Sequence, residues 1–192
     1  PTRGPDARPA RPPMERAARD RFALLIGIAA SVVIFRGAYE QVGNTIALWA
    51  DTGIDRQLGS WTIPMTWFIS IDSLVVFAFT PVLVARWARL ARRGIETPLL
   101  GRMAFGAAIV AASYVALGLV AGWNEAHGTR ASWIWLAVWF VVFTIGELYI
   151  LPTGLALFGR MAPEGFRATS IATWFFAGFF GNLLAGGLGT LW

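Results

Sequence analysis

"FALLIGIAASVVIFRGAYEQVGNTIALW", residues Phe22 to Trp49, decides how the rest of the chain is read. It is longer than the ~18 mostly apolar residues that mark a helix able to cross a bilayer. At ~1.5 Å per residue such a helix runs about 42 Å, which overshoots a ~30 Å hydrocarbon core and leaves room for tilt. Yet it carries Arg36, Glu40, Gln41 and Asn44. Polar side chains at membrane depth are costly, and a cost of that kind marks function.

Four more apolar stretches follow, at about 61–88, 98–122, 131–158 and 168–192. With 22–49 they predict an all-α, multi-pass transmembrane bundle of five spans. Composition agrees: 56% of the 192 residues are hydrophobic and 14% charged, against roughly 45–50% apolar and about 25% charged in soluble domains. Residues 1–21 read as a flexible basic cytoplasmic linker, because "PTRGPDARPARPP" is rich in proline and arginine and cannot bury a core. The chain opens on Pro1 and stops at Trp192 directly from an apolar stretch, so it reads as cut at both ends.

The net charge of +5 raises the question of nucleic acid. Thirteen arginines lie before the first span or in the loops after spans two and four, and only Arg56 and Arg130 lie in the alternate loops. That is a positive-inside bias, which places the start of the chain in the cytoplasm and its end outside. No basic stripe lies on a soluble element, so nucleic-acid binding is excluded. Six tryptophans, Trp49, Trp61, Trp123, Trp133, Trp135 and Trp192, gather at the outer ends as an interfacial belt.

Enzymatic motifs are absent, cysteine is absent, and the single histidine, His127, sits in the short loop "GWNEAHGTR". Chemistry is therefore sought among the buried acids. Arg36, Glu40 and Asn44 repeat at four-residue steps, which on a continuous helix sets them on one face with Gln41 beside them. Two readings stand side by side. The pair Arg36–Glu40 is an internal salt bridge that makes burial tolerable, or Glu40 is a proton site whose affinity depends on where Arg36 points.

Asp72 in "FISIDSLVV" and Glu147 in "TIGELYILPTG" add two acids at depth. Three acids balanced by one arginine leave negative charge for a proton, a cation or another segment to meet. Pro152, five residues after Glu147, predicts either a simple kink or an interrupted helix of the kind that builds transporter sites. The fifth span carries Gly178 and Asn182 and, on an adjoining ridge, Gly181, Ala185 and Gly189, a small-residue pattern that lets helix backbones approach.

"FRGAYEQVGNTIALWAD", "ARWARLARRG" and "GELYILPTGLALFGRMAPEGFRATSIATWFFAGFFGNLLAG" together resemble the proton-dependent oligopeptide transporter family of the major facilitator superfamily, over about residues 22–192. The resemblance is to the second half of such a transporter. It implies proton-coupled symport of di- and tripeptides across the inner (plasma) membrane by alternating access, with a missing amino-terminal half-bundle as partner. No cofactor is implied; the proton is the coupling ion.

Carried onto this chain, it gives Glu40, with Arg36, the place of the proton-coupling pair and Glu147 the place of the acid that holds a peptide's amino terminus. Asn44 and Trp174 match cavity positions, Gln41 and Asp72 join the substrate-binding set, and Asp51 matches an outer-gate acid that pairs with a base from the other half. Asp72 and Ser73 stand where the family usually has asparagine and proline, and Leu151 stands where many members carry serine. A same-family transporter of nitrate or another small anion, and a non-transporting receptor or scaffold, are the alternatives.

Overall fold

The computed structural model describes residues 16–191. Its chain runs α1 (Arg16–Tyr39), a single 3-10 turn (Glu40–Val42), α2 (Thr45–Thr52), the short strands β1 (Ile54–Asp55), β2 (Gln57–Leu58) and β3 (Trp61–Thr62), α3 (Met65–Arg92), α4 (Leu99–Ala126), β4 (Ala131–Ser132), α5 (Trp133–Met161) and α6 (Arg167–Gly189). Five helical stretches are long and apolar enough to span a membrane, the first being Arg19–Thr52 taken across the turn. Helices are the form such segments must take, because lipid offers no partner for an open backbone N–H or C=O. The protein is a multi-pass membrane protein.

The first helix starts before the apolar stretch does. It begins at Arg16, inside the segment 1–21 expected to be flexible, because arginine and alanine are strong helix formers and the proline-rich composition ends at Pro13. Residues 1–15 of that expected linker lie outside the described residues.

A correction concerns where a span is interrupted. α5 passes through Pro152 as one helix, as α3 passes through Pro81. The break lies instead in span one. There α1 tightens into the turn Glu40–Val42, and Asn44, at φ −111° and ψ −103°, leaves helical geometry before α2 starts. Gly43 and Asn44 are poor helix formers placed in succession, which is the local reason.

α5 is the centre of the bundle. Half of its most apolar window is buried, against 17–28% for the other four spans. It packs along α4 most extensively, and also on α3 and α6, while α1 pairs with α6. Both long pairings depend on glycine. A Cβ at Gly106 of α4 would stand 2.5 Å from the Gly146 carbonyl oxygen of α5, and one at Gly146 would stand 2.9 Å from the Gly106 carbonyl oxygen, so the two backbones touch. On the other pair, a Cβ at Gly181 would collide with that of Arg36 and lie 3.1 Å from the Val33 carbonyl oxygen.

Helix ends follow ordinary capping rules. Arg89 and Arg92 sit in the last turn of α3, where the helix dipole favours cations, and Gly94 at φ +70° reverses the chain beyond it. On the opposite side of the bundle β2 and β3 form a hairpin across Gly59 and Ser60, and β1 pairs in parallel with β4 through Ile54–Ala131 and Asp55–Ser132. These bridges tie the loops after spans one and three together.

Candidate functional site

The break in span one sets Glu40 on the turn, four residues after Arg36. The Arg36 guanidinium donates to Glu40 Oε1 at 2.7 Å, with the side chains 22% and 34% exposed. Asn182 of α6 completes the group: with its amide nitrogen facing them, it donates to Glu40 Oε1 and to the Gly178 carbonyl, each at 3.2 Å. Arg36 also stacks over Tyr39, 4.7 Å from the ring centre.

Glu147 is built differently. It is 7% exposed, and its Oε2 has no hydrogen-bond partner. A buried acceptor left open costs on the order of 1–3 kcal/mol, more when it is charged. Its near neighbours are the Tyr39 hydroxyl and the Asp72 carboxyl, with the Arg36 charge further off. Asp72 in turn lies against Thr144, whose Oγ1 is 2.6 Å from Asp72 Oδ1 and 2.7 Å from the Phe140 carbonyl oxygen. One hydroxyl proton serves two acceptors there.

A groove of about 650 Å³ runs between α1, α5 and α6, lined among others by Arg36, Leu151, Pro152, Trp174, Gly178 and Asn182. Glu147 lies one helical turn before Leu151 on the same face of α5. Trp174 is 8% exposed and lies edge-on to Phe158, with its indole over Gly154, where any side chain would overlap the ring. Arg36 and Trp174 line this groove, Glu40 pairs with Arg36, and Glu147 lies within electrostatic reach of both Asp72 and Arg36.

Three expected residues are placed elsewhere. Gln41 is buried, and its amide nitrogen donates to the Gly37 and Ala185 carbonyls at 3.2 and 3.3 Å while its oxygen accepts from Thr45 at 2.7 Å. It joins span one to α6, and both of its amide protons are committed. Asn44 leaves the Arg36–Glu40 face because the helix ends before it, and its side chain lies against Gly189. Asp51 is exposed and pairs with Arg56 of its own chain, which also donates to the Ile63 carbonyl.

Tyr39, Thr144 and Asn182 belong to the site but were not assigned to it from sequence. Tyr39 had a signal, a hydroxyl at membrane depth next to Glu40; Thr144 had none. Tyr114 of α4 is also structural to the break, donating to the Ala38 carbonyl at 2.5 Å. Among the described residues, no group of three or more His, Asp or Glu could hold a metal ion.

The chain is similar to known proteins along nearly its whole length. It is 30% identical over 177 residues to the peptide transporter YePEPT of Yersinia enterocolitica, covering 92% of this chain and 35% of that protein. It is 28% identical over 168 residues to a di-/tripeptide transporter of Lactococcus lactis subsp. cremoris, covering 85% of this chain and 33% of the relative. The chain therefore spans about a third of the length of these relatives.

Among solved structures, a peptide transporter in complex with sulfate superposes with a TM-score of 0.84 at 21% identity, over 94% of this chain and 36% of that one. A POT family transporter bound to a thioalcohol-conjugated peptide superposes with a TM-score of 0.83 at 25% identity, over 94% and 37%. The signature of the POT family (PTR2) matches residues 14–192, and the chain belongs to that family of transporters.

Proposed function

We propose that this chain supplies the carboxyl-terminal wall of a proton-coupled symporter for di- and tripeptides, working by alternating access against an amino-terminal half-bundle in the inner (plasma) membrane. Its start faces the cytoplasm, as the arginine distribution favours. The observation that carries the reading is the open, buried Oε2 of Glu147 beside Asp72. A peptide ammonium satisfies both the open acceptor and the excess of negative charge.

Arg36 supplies the complementary step. While Glu40 is ionised, the 2.7 Å pair holds the guanidinium. A proton arriving on Glu40 weakens that pair, and Arg36, which lines the groove, turns to the carboxylate end of the peptide. One charge crossing the membrane potential is worth ~2.3 kcal/mol per 100 mV, enough to bias such an exchange. Trp174 gives the groove a rigid apolar surface, Gln41 fixes the joint that carries Glu40, and Asn44 lies at its outer end. The Asp51–Arg56 pair serves as an outer gate element by holding the loop after α2.

The test is uptake of radiolabelled dipeptide by the intact protein in proteoliposomes. Glu147→Gln is expected to weaken peptide binding at least tenfold and to lower uptake with it, whereas Glu40→Gln is expected to lose proton-driven accumulation but keep counterflow exchange. Unchanged peptide uptake by Glu147→Gln refutes the ammonium role. Uptake of nitrate in place of peptide by the native protein refutes the substrate class.

A further inference from the structure

The arginines that set the topology are not all alike. Arg86 of α3 and Arg102 of α4 lie on a pocket of about 240 Å³ at the end of the bundle remote from the tryptophan belt, on the flank of α5 that carries Tyr149. Arg86 stands 21 residues after the start of α3, roughly 32 Å along the helix, which is the depth at which a ~30 Å hydrocarbon layer ends.

Both guanidiniums are held in place by neutral groups. Arg86 donates to the Tyr149 hydroxyl at 3.2 Å; Arg102 donates to Thr97 Oγ1 at 2.7 Å and stacks over Trp87, 4.5 Å from the ring centre. Trp87 and Phe105 meet the Tyr149 ring edge-on at 5.8 and 5.2 Å, giving the pocket an aromatic floor. Among the described residues neither arginine has a carboxylate within ion-pairing distance; the two ion pairs found are Arg36–Glu40 and Arg56–Asp51. A guanidinium has five N–H donors, so most of the donors here are uncommitted.

The surface beneath the pocket is apolar. Phe105 lies one turn deeper than Arg102 and is 55% exposed, and Val82 lies one turn deeper than Arg86 and is 62% exposed. We propose that this pocket binds the phosphate headgroup of an anionic glycerophospholipid, with Arg86 and Arg102 on the phosphate and an acyl chain laid along Val82 and Phe105. Two positive groups lining one pocket above an exposed apolar track match that ligand's order of charge and hydrocarbon. A free phosphate ion would use the arginines and leave the track unexplained.

The experiment is native mass spectrometry of the intact protein released from detergent after incubation with phosphatidylglycerol, with phosphatidylcholine of the same acyl chains, or with inorganic phosphate alone. Expected is retention of phosphatidylglycerol about tenfold above phosphatidylcholine, lost in Arg86→Gln/Arg102→Gln. Arg89→Gln/Arg92→Gln, which removes the same charge outside the pocket, is expected to keep the preference within about threefold. Equal retention of the two lipids, an equal loss in the control pair, or displacement of lipid by inorganic phosphate overturns the proposal.

A melting measurement on the unmodified protein guards against misfolded variants: phosphatidylglycerol raises the midpoint and phosphatidylcholine does not, and no difference between them overturns the site. The readout is bound lipid, so its failure leaves the peptide-transport reading untouched, and failed peptide uptake leaves this site untouched.

Discussion

Glu40 and Glu147 are carboxylates of one bundle with opposite surroundings. Glu40 is half-buried, and its cation and an amide are supplied by the chain itself, in Arg36 and Asn182. Glu147 is buried more deeply, has a second acid as neighbour, and keeps one oxygen without a partner. The first is complete in the free protein and is altered by losing a charge. The second is incomplete and is altered by gaining a ligand. In the proposed function that division gives coupling to one acid and recognition to the other.

The largest effect expected is at Glu147. Replacing it by glutamine removes a charged hydrogen bond of about 1.5–3 kcal/mol, so dipeptide affinity should fall between about ten- and a hundredfold in equilibrium binding. A fall of less than threefold would erase the contrast between the two acids.

Glu40→Gln comes next. Accumulation driven by a pH gradient should drop about tenfold, while counterflow stays within about twofold of native. Loss of counterflow to the same extent would show that Glu40 also recognises substrate.

Gly181→Leu probes the support of the first site without touching the second. It forces a side chain onto the Arg36 Cβ and the Val33 and Gly37 backbone and should destabilise by about 1–3 kcal/mol, read as a lowered melting midpoint. An unchanged midpoint would mean that α1 and α6 part easily.

The smallest effect is expected for Asp72→Asn, which keeps a partner for Thr144 and removes one negative charge. Dipeptide affinity should change by no more than about threefold, since only a neighbouring charge is lost and not a direct bond. A loss as large as that of Glu147→Gln would move the ammonium site onto Asp72.

The five spans were legible because hydropathy over twenty or more residues leaves a helix no competitor in lipid. The Arg36–Glu40 pair was legible because four-residue spacing is a local geometry. The break at Gly43–Asn44 was not weighed, since the apolar run continues through it to Trp49 and outweighs two weak helix formers. Pro152 gave the stronger local signal for an interruption, yet α5, packed by α3, α4 and α6, continues through it as a helix. The meeting of Tyr39, Asp72, Thr144 and Glu147 draws on three helices, so no spacing within one segment could reveal it. The Gly106–Gly146 seam is hidden for the same reason.

Gln41 ties the joint of span one to Gly37, Thr45 and Ala185 at once. Of these bonds the one to Ala185 crosses to α6, and together with the close Gly181–Arg36 contact it fastens the joint to that helix. In the symporter proposed above, Glu40 and Asn182 would then move together, and the quantity that changes would be the distance from Glu40 to the opposing wall.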